Sequence, residues 1–409
     1  MHGSRRLKHA ELAVAMVLAT AAVTLHAAAL QTEAGPIIAC DPDGHENVTP
    51  ADAIQACIDD APAFSTVEIP VGKYVLNHQI VVSTSITLRG ALRANASSCV
   101  AAPDDCAVLL AAPDIADQWG LLLVRSTTKV RLEHLVLDGN RAERTASVAA
   151  RSCVNGDNTY GFNASVLECE GCRLEDLVSR HAVCGTGMVW IGANATIERS
   201  AFVSNGDSVT RSLWADGLTL LSAPRSTIRE NTFEDNSDVA LIIGYGVDSR
   251  VEHNAIQQRT QPAFAGLMLH TFNSNDRTSS GDFRGAVIAN NTIDCGAQLC
   301  TFGIQVGPRP WDSSANIVGG ELHDNIVTGA KIGINVDGAG DRDAPTAIFS
   351  NHVEAAPPGA YFATCTQPIP AAWMNIAPTS FVDRRNEETK AAAHLSDWCQ
   401  LWSNLAVDQ

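Results

Sequence analysis

The sequence predicts an all-β solenoid, a stack of coils built from short parallel strands, and three observations predict it. A short apolar strand recurs as GMVW (187–190), GLTL (217–220), ALII (240–243), GLML (266–269), GIQV (303–306) and GINV (333–336). A second strand recurs between these, ending in Asn or another polar residue: VRLEHLVLDGN (130–140), ATIERSAF (195–202), STIRENTF (226–233), SRVEHNAI (249–256), AVIANNTI (286–293) and AIFSNHV (347–353). Asp216 and Asp238, each just ahead of an apolar strand, lie 22 residues apart. A period in the low twenties is one coil of a solenoid. Coils stack about 4.8 Å apart, so the two aspartates are expected as neighbours on one face.

In chain order, residues 1–29 read as a signal peptide. Arg5, Arg6 and Lys8 precede the apolar run LAVAMVLATAAVTL (12–25), and Ala27 and Ala29 fit a small-residue cleavage site. The run is too short for a comfortable membrane span. A secreted protein, extracellular or periplasmic, is therefore expected, with no membrane association after cleavage. Residues 30–409 read as a single domain, with coils over about 65–355 and a C-terminal cap over about 356–409. The net charge of −17 becomes more negative when the basic leader is removed. That balance disfavours nucleic acid, which needs its phosphates neutralised. It also disfavours a polyanionic glycan unless Ca²⁺ bridges the two.

All twelve cysteines follow the leader: 40, 57, 99, 106, 153, 169, 172, 184, 295, 300, 365 and 399. An even count in an exported chain reads as disulfides. Cys99/Cys106 and Cys295/Cys300 suit local staples, and Cys365/Cys399 suits a tie in the C-terminal segment; the other pairings stay open. Cys169-Glu170-Gly171-Cys172 also has zinc-ligand spacing, but it is a single such pair in an oxidising compartment. Asn-x-Ser/Thr acceptors stand at Asn47, Asn95, Asn163, Asn194 and Asn290.

Residues 49–64 predict a helix, with Thr49 as N-cap, Pro50 at the first helical position and an apolar stripe at Ala53, Ile54, Cys57 and Ile58. Short alternating strands follow over 65–91. A helix in this place plugs the apolar interior that an open solenoid end would expose. The stretch AIQACIDDAPAFSTVEIPVGKYVLNHQIVVSTSITLRG (53–90) resembles the opening of the pectate-lyase-like, right-handed parallel β-helix superfamily. That family pattern is a capping helix, a P-x-G-x-Y strand and then I-T-L-x-G. The resemblance implies a right-handed parallel β-helix with an N-terminal capping helix; it says little about activity, which varies across the superfamily.

Asn231, Asn254, Asn291, Asn325 and Asn351 are expected to stack as a structural ladder. Longer intervals mark inserted loops at 141–171, 271–285 and 307–316, suited to wall a groove. The last segment, 381–402, is expected to hold a helix that caps the far end.

The best candidates for chemistry are Asp216 and Asp238. Glycoside hydrolysis needs one protonated and one ionised carboxyl, and stacking like charges pushes one pKa upward. Trp214-Ala215-Asp216-Gly217 and Ser237-Asp238-Val239-Ala240-Leu241-Ile242 partly resemble the polygalacturonase-like glycoside hydrolases. Their pattern is N-T-D-G and, about one coil later, D-D-x-x-A-I. Ser237 replaces the first aspartate of the second motif. The family's G-H-G and R-I-K fall on Ala265-Gly266-Leu267 and Gln305-Val306-Gly307, without the histidine or the basic pair, which argues against a galacturonate subsite. The plain alternative is that both aspartates only cap strand ends and bind turn amides.

The expectation is a carbohydrate-active enzyme, with Asp216 and Asp238 as acid and base and Asp235, His270, Arg309, Trp214 and Tyr245 as substrate contacts. It is expected to be a monomer that needs no cofactor and takes a polysaccharide as its partner. A lyase is the runner-up: Tyr245, His270 or Arg309 would be the base, and Asp216, Asp235 and Asp238 could hold Ca²⁺. A glycan-binding scaffold without catalysis is third, disfavoured by an aromatic content of only 5%.

Overall fold

The computed structural model describes residues 35–43, 48–272, 280–309, 315–340 and 343–354, together with the backbone of strands Phe362–Ala363, Phe381–Asp383 and Glu388–Lys390. The leader at 1–29, the sequon at Asn47 and the Cys365/Cys399 pair lie outside the described residues. Those described belong to one unit, Gly35–Gln409.

Three sheets of 11, 10 and 12 strands run the length of the molecule, and each coil contributes one strand to each. A representative coil runs from Thr227–Arg229 in the first sheet, through Thr232–Glu234 in the second, to Val239–Ile243 in the third. Pairing between coils is parallel throughout, except that Phe381–Asp383 meets Glu388–Lys390 antiparallel. These two strands occupy part of the segment where a capping helix was expected; the rest of 381–402 lies outside the described residues.

The GLTL-type strands all join the third sheet. Alternation along them sends every second residue into the coil interior. Met188, Leu218, Leu241, Leu267, Ile304 and Ile334 stack there in register, fully buried. The intervening row, Val189, Thr219, Ile242, Met268, Gln305 and Asn335, is also buried.

The corner between the first and second sheets is the same in coil after coil. A residue in the left-handed region (Arg199, Glu230, His253, Asn290, Asp324, Ser350; φ 49° to 57°) turns the chain. After Arg199 stands Ser200, whose backbone amide donates to Asn231 Oδ1 at 3.1 Å. After the other five stands an asparagine of the ladder, and each side-chain amide donates to the next coil's side-chain oxygen, from Asn231 to Asn254 at 3.0 Å and onward through Asn291 and Asn325 to Asn351 at 2.9 Å each. All five are buried, so these amides have to find partners within the protein.

Toward the N-terminal end, helix α1 (Pro50–Asp59) starts where expected, with Thr49 accepting from the Asp52 amide, and stops five residues short of the expected end at 64. Ala51, Ile54 and Ile58 join the main core. Gln55 exchanges two hydrogen bonds with Val81, in the edge strand of the third sheet, so that an otherwise open edge is satisfied. Disulfides join Cys40–Cys57, Cys99–Cys106, Cys153–Cys184, Cys169–Cys172 and Cys295–Cys300. Cys169 and Cys172 are thus bonded to each other, which removes the zinc reading. The 141–171 insertion is shorter than its spacing suggests: residues 164–170 are a regular strand of the third sheet, Ala164–Glu170. The true insertion holds helix α2 (Val148–Val154), tied down by Cys153–Cys184.

Candidate functional site

Asp216 opens the third-sheet strand Ala215–Ser222, and Asp238 immediately precedes the next one, Val239–Ile243. The strands align Leu218 with Leu241, an interval of 23 residues rather than 22. Asp216 is therefore level with Val239, and Asp238 is level with Ala215, to whose carbonyl it donates its own amide at 3.1 Å. The pair is diagonal rather than stacked.

Asp216 is 6% exposed. Its Oδ1 accepts the Val239 amide at 3.1 Å, and its Oδ2 lies 2.7 Å from the Thr219 hydroxyl. Burial pushes its pKa up to about 7, against the opposing pull of those two donors. Asp238 keeps part of its surface open. Its pKa is raised well above the ordinary carboxylate value, first by burial and then by the negative charge of Asp216. Two like charges in one dry place cannot both ionise easily, and such pairs cluster at functional sites.

The walls of this place come from loops entering the third sheet. Ser237, where the hydrolase pattern has an aspartate, is fully buried; its hydroxyl accepts from the Ala215 amide at 2.9 Å and donates to the Leu213 carbonyl at 3.0 Å. It fixes the approach to Asp216. Gly206, at φ +71°, gives it room: a Cβ there would come within 1.9 Å of the Ser237 oxygen. Helix α2 packs Ala149 and Ala150 against Val183 and Leu213. A groove lined by Thr145, Arg151, Val154, Arg211 and Leu213 runs between the helix and the stretch leading to Trp214.

The other expected contacts divide. Trp214, half-buried, stands two residues before Asp216. Asp235 is buried in a turn, where it accepts the Arg259 and Thr260 amides at 2.7 and 2.9 Å and the Thr260 hydroxyl at 2.8 Å. Tyr245, His270 and Arg309 lie past the opposite, C-terminal ends of their strands, the width of the sheet away from the aspartates. His270 is buried and stacks on Phe272. Arg309 pairs with Asp337 at 3.5 Å and donates to Asn316. Among the described residues, no group of three or more His, Cys, Asp or Glu side chains converges as metal ligands would. Thr186 and Thr219 went unnoticed in the sequence, where a threonine inside an apolar strand reads as ordinary β-sheet composition.

The family model described as "Right handed beta helix region" matches residues 152–353. Among solved structures, the chain resembles the A-module of a mannuronan C-5 epimerase from Azotobacter vinelandii. That match has a TM-score of 0.53 and 15% identity, over 87% of this chain and 92% of that one. The Dettilon tailspike protein matches with a TM-score of 0.51 and 12% identity, over 85% and 70%. An exopolygalacturonase from Thermotoga maritima matches with a TM-score of 0.48 and 13% identity, over 80% and 81%. No curated protein matches the chain in sequence. Identities this low speak for the fold alone, a right-handed parallel β-helix.

Proposed function

We propose that this right-handed parallel β-helix is an exported enzyme that hydrolyses glycosidic bonds in a polysaccharide, using Asp216 and Asp238. The observation that carries the reading is the carboxyl pair itself, at the edge of the third sheet, with Asp216 buried, Asp238 partly open and both pKa values raised. The fold agrees with it, being shared with a module named for a polysaccharide reaction, and the five disulfides suit an oxidising compartment.

The hydrogen bonds divide the roles. Asp216 has two donors waiting for its ionised form, so it is the base or nucleophile. Asp238 faces that charge, which together with burial raises its pKa well above the ordinary carboxylate value, so it is the acid that protonates the leaving oxygen. Trp214, half-buried two residues before Asp216, offers an aromatic surface for a sugar ring. No bound cation is needed for these steps.

The test incubates the mature protein with neutral and uronate polysaccharides, following reducing ends and the ultraviolet absorbance of an unsaturated uronate, with and without chelator. Reducing ends without that absorbance, abolished in Asp216→Asn and Asp238→Asn, are expected. Absorbance that disappears with chelator would replace hydrolysis by calcium-dependent elimination. Glycan binding without either product would leave a scaffold.

A further inference from the structure

The hydroxyls behind Asp216 form a chain. Thr219 Oγ1 lies 2.7 Å from Asp216 Oδ2 and 2.9 Å from Thr186 Oγ1. Thr186 Oγ1 in turn lies 2.8 Å from the Met188 carbonyl oxygen and 3.2 Å from the Met188 amide nitrogen. The three side chains are 6%, 7% and 1% exposed for Asp216, Thr219 and Thr186, so bulk water does not supply alternatives.

Each hydroxyl has one proton to give and two lone pairs to accept with. With Asp216 ionised, donation runs one way: Met188 N–H to Thr186, Thr186 O–H to Thr219, Thr219 O–H to the carboxylate. With Asp216 protonated it runs the other way: Asp216 O–H to Thr219, Thr219 O–H to Thr186, Thr186 O–H to the Met188 carbonyl. Both directions use the same heavy-atom positions. The chain always holds its own two protons, and only Asp216 gains or loses one. The backbone amide at one end and the carbonyl at the other make the chain complete in either sense.

We propose that Thr219 and Thr186 are positioning residues that let Asp216 change its charge without any heavy atom moving, by reversing the direction of a two-hydroxyl chain anchored on Met188. This rests on the reading of Asp216 as the base, which takes a proton from water and must then keep it while buried. The proton taken up stays on the Asp216 carboxyl, which donates it into the reversed chain until product leaves, and is then released. The ionisable groups nearby do not duplicate the device. Asp238 is the one whose charge couples to Asp216, and the neighbouring strand Gly185–Ile191 carries no charged side chain. In the 204–214 loop, Asp207 and Arg211 face each other at 3.8 Å.

The experiment is a pH titration of the Asp216 side-chain carboxyl by ¹³C resonance in the full mature protein, without substrate, assigned by its loss in Asp216→Asn. Thr219→Val removes the donor of the charged form, the stronger of the two bonds lost, and is expected to raise the midpoint by about one unit or more. Thr186→Val leaves that donor but strands the Thr219 proton when Asp216 is protonated, and is expected to lower the midpoint. Thr219→Ser and Thr186→Ser keep the hydroxyls and are expected to keep the midpoint, which also shows that the valine variants act through the lost oxygen. Shifts of the same sign in both valine variants, or no shift in Thr186→Val, would overturn the proposal. Opposite shifts with no activity on any glycan would leave the chain standing and remove the hydrolase reading. Glycan hydrolysis with no shifts would do the reverse.

Discussion

Replacing Asp216 by asparagine should make the protein more stable, and by an amount that depends on pH. The native pKa of about 7, against the ordinary value of 3.8, means that the folded state holds a proton that the unfolded chain has already released. Stability is then lost as pH rises from about 4 to about 7, because the folded state binds more protons throughout that window. The full loss corresponds to roughly 4 kcal/mol, an upper figure because Asp216 and Asp238 titrate as a pair. Asparagine carries no charge to bury and fits the protonated pattern: its oxygen still accepts from Val239, and its nitrogen donates to Thr219. Urea unfolding of both proteins between pH 3.5 and 8.5, an assay window of about five units around the two values, measures the difference. The two should agree at the acid end and diverge steadily until Asp216→Asn leads by up to about 4 kcal/mol at the alkaline end. Parallel curves, or a wild-type advantage at high pH, would refute the claim that Asp216 carries a costly buried charge. Such a gain, coupled to lost activity, is the usual trade at a site built for chemistry.

Two further outcomes follow from the same structure. Asn254→Ala deletes the amide that donates to Asn291 and Ile228 and accepts from Asn231; it should cost roughly 2–4 kcal/mol, read as a lowered urea midpoint with the activity per folded molecule unchanged. Ser237→Asp, which restores the aspartate of the hydrolase pattern, should destabilise rather than activate. A carboxylate cannot donate to the Leu213 carbonyl and has Gly206 against it, so lower solubility and no gain in reducing-end release are expected.

The repeating parts of this fold were legible because stacking forces the same residue type to the same place. The apolar strands and the asparagine ladder announce themselves that way. The left-handed corner before each ladder position did not, since arginine, glutamate, histidine, asparagine, aspartate and serine all occupy it and the identity of the side chain carries no signal. The strands Leu122–Thr128 and Ala164–Glu170 were hidden by the insertion between them, which breaks the period. Counting from one aspartate to the other placed them level, whereas the sheet aligns Asp216 with Val239 and Asp238 with Ala215; one residue of offset is invisible until the register is known. Polar residues at strand ends were taken as reaching out to substrate. His270 and Asp235 show the limit of that reasoning: His270 is buried against Phe272, and the Asp235 carboxylate is taken up by the Arg259 and Thr260 amides and the Thr260 hydroxyl.

The corner shared by the first and second sheets has one more consequence. From the buried residue of the first sheet to the ladder is always three residues, and from the ladder to the buried residue of the second sheet always two, as in Ile228, Asn231, Phe233 and Ile288, Asn291, Ile293. An added residue there would pull an amide out of reach of its neighbours above and below. That corner is interrupted once, by the segment 91–106 between Thr87–Gly90 and Ala107–Ala111 that Cys99–Cys106 staples. From Arg131–Glu133 onward the length variation falls on the two corners bordering the third sheet, from the short Asp235–Asp238 link to the insertion that includes α2. Over those coils, one side of the molecule thus acts as a constant spine while the other behaves as a row of sockets. Loops around the aspartates can be exchanged, lengthened or borrowed one coil at a time, and a change of glycan needs no redesign of the coil that carries it.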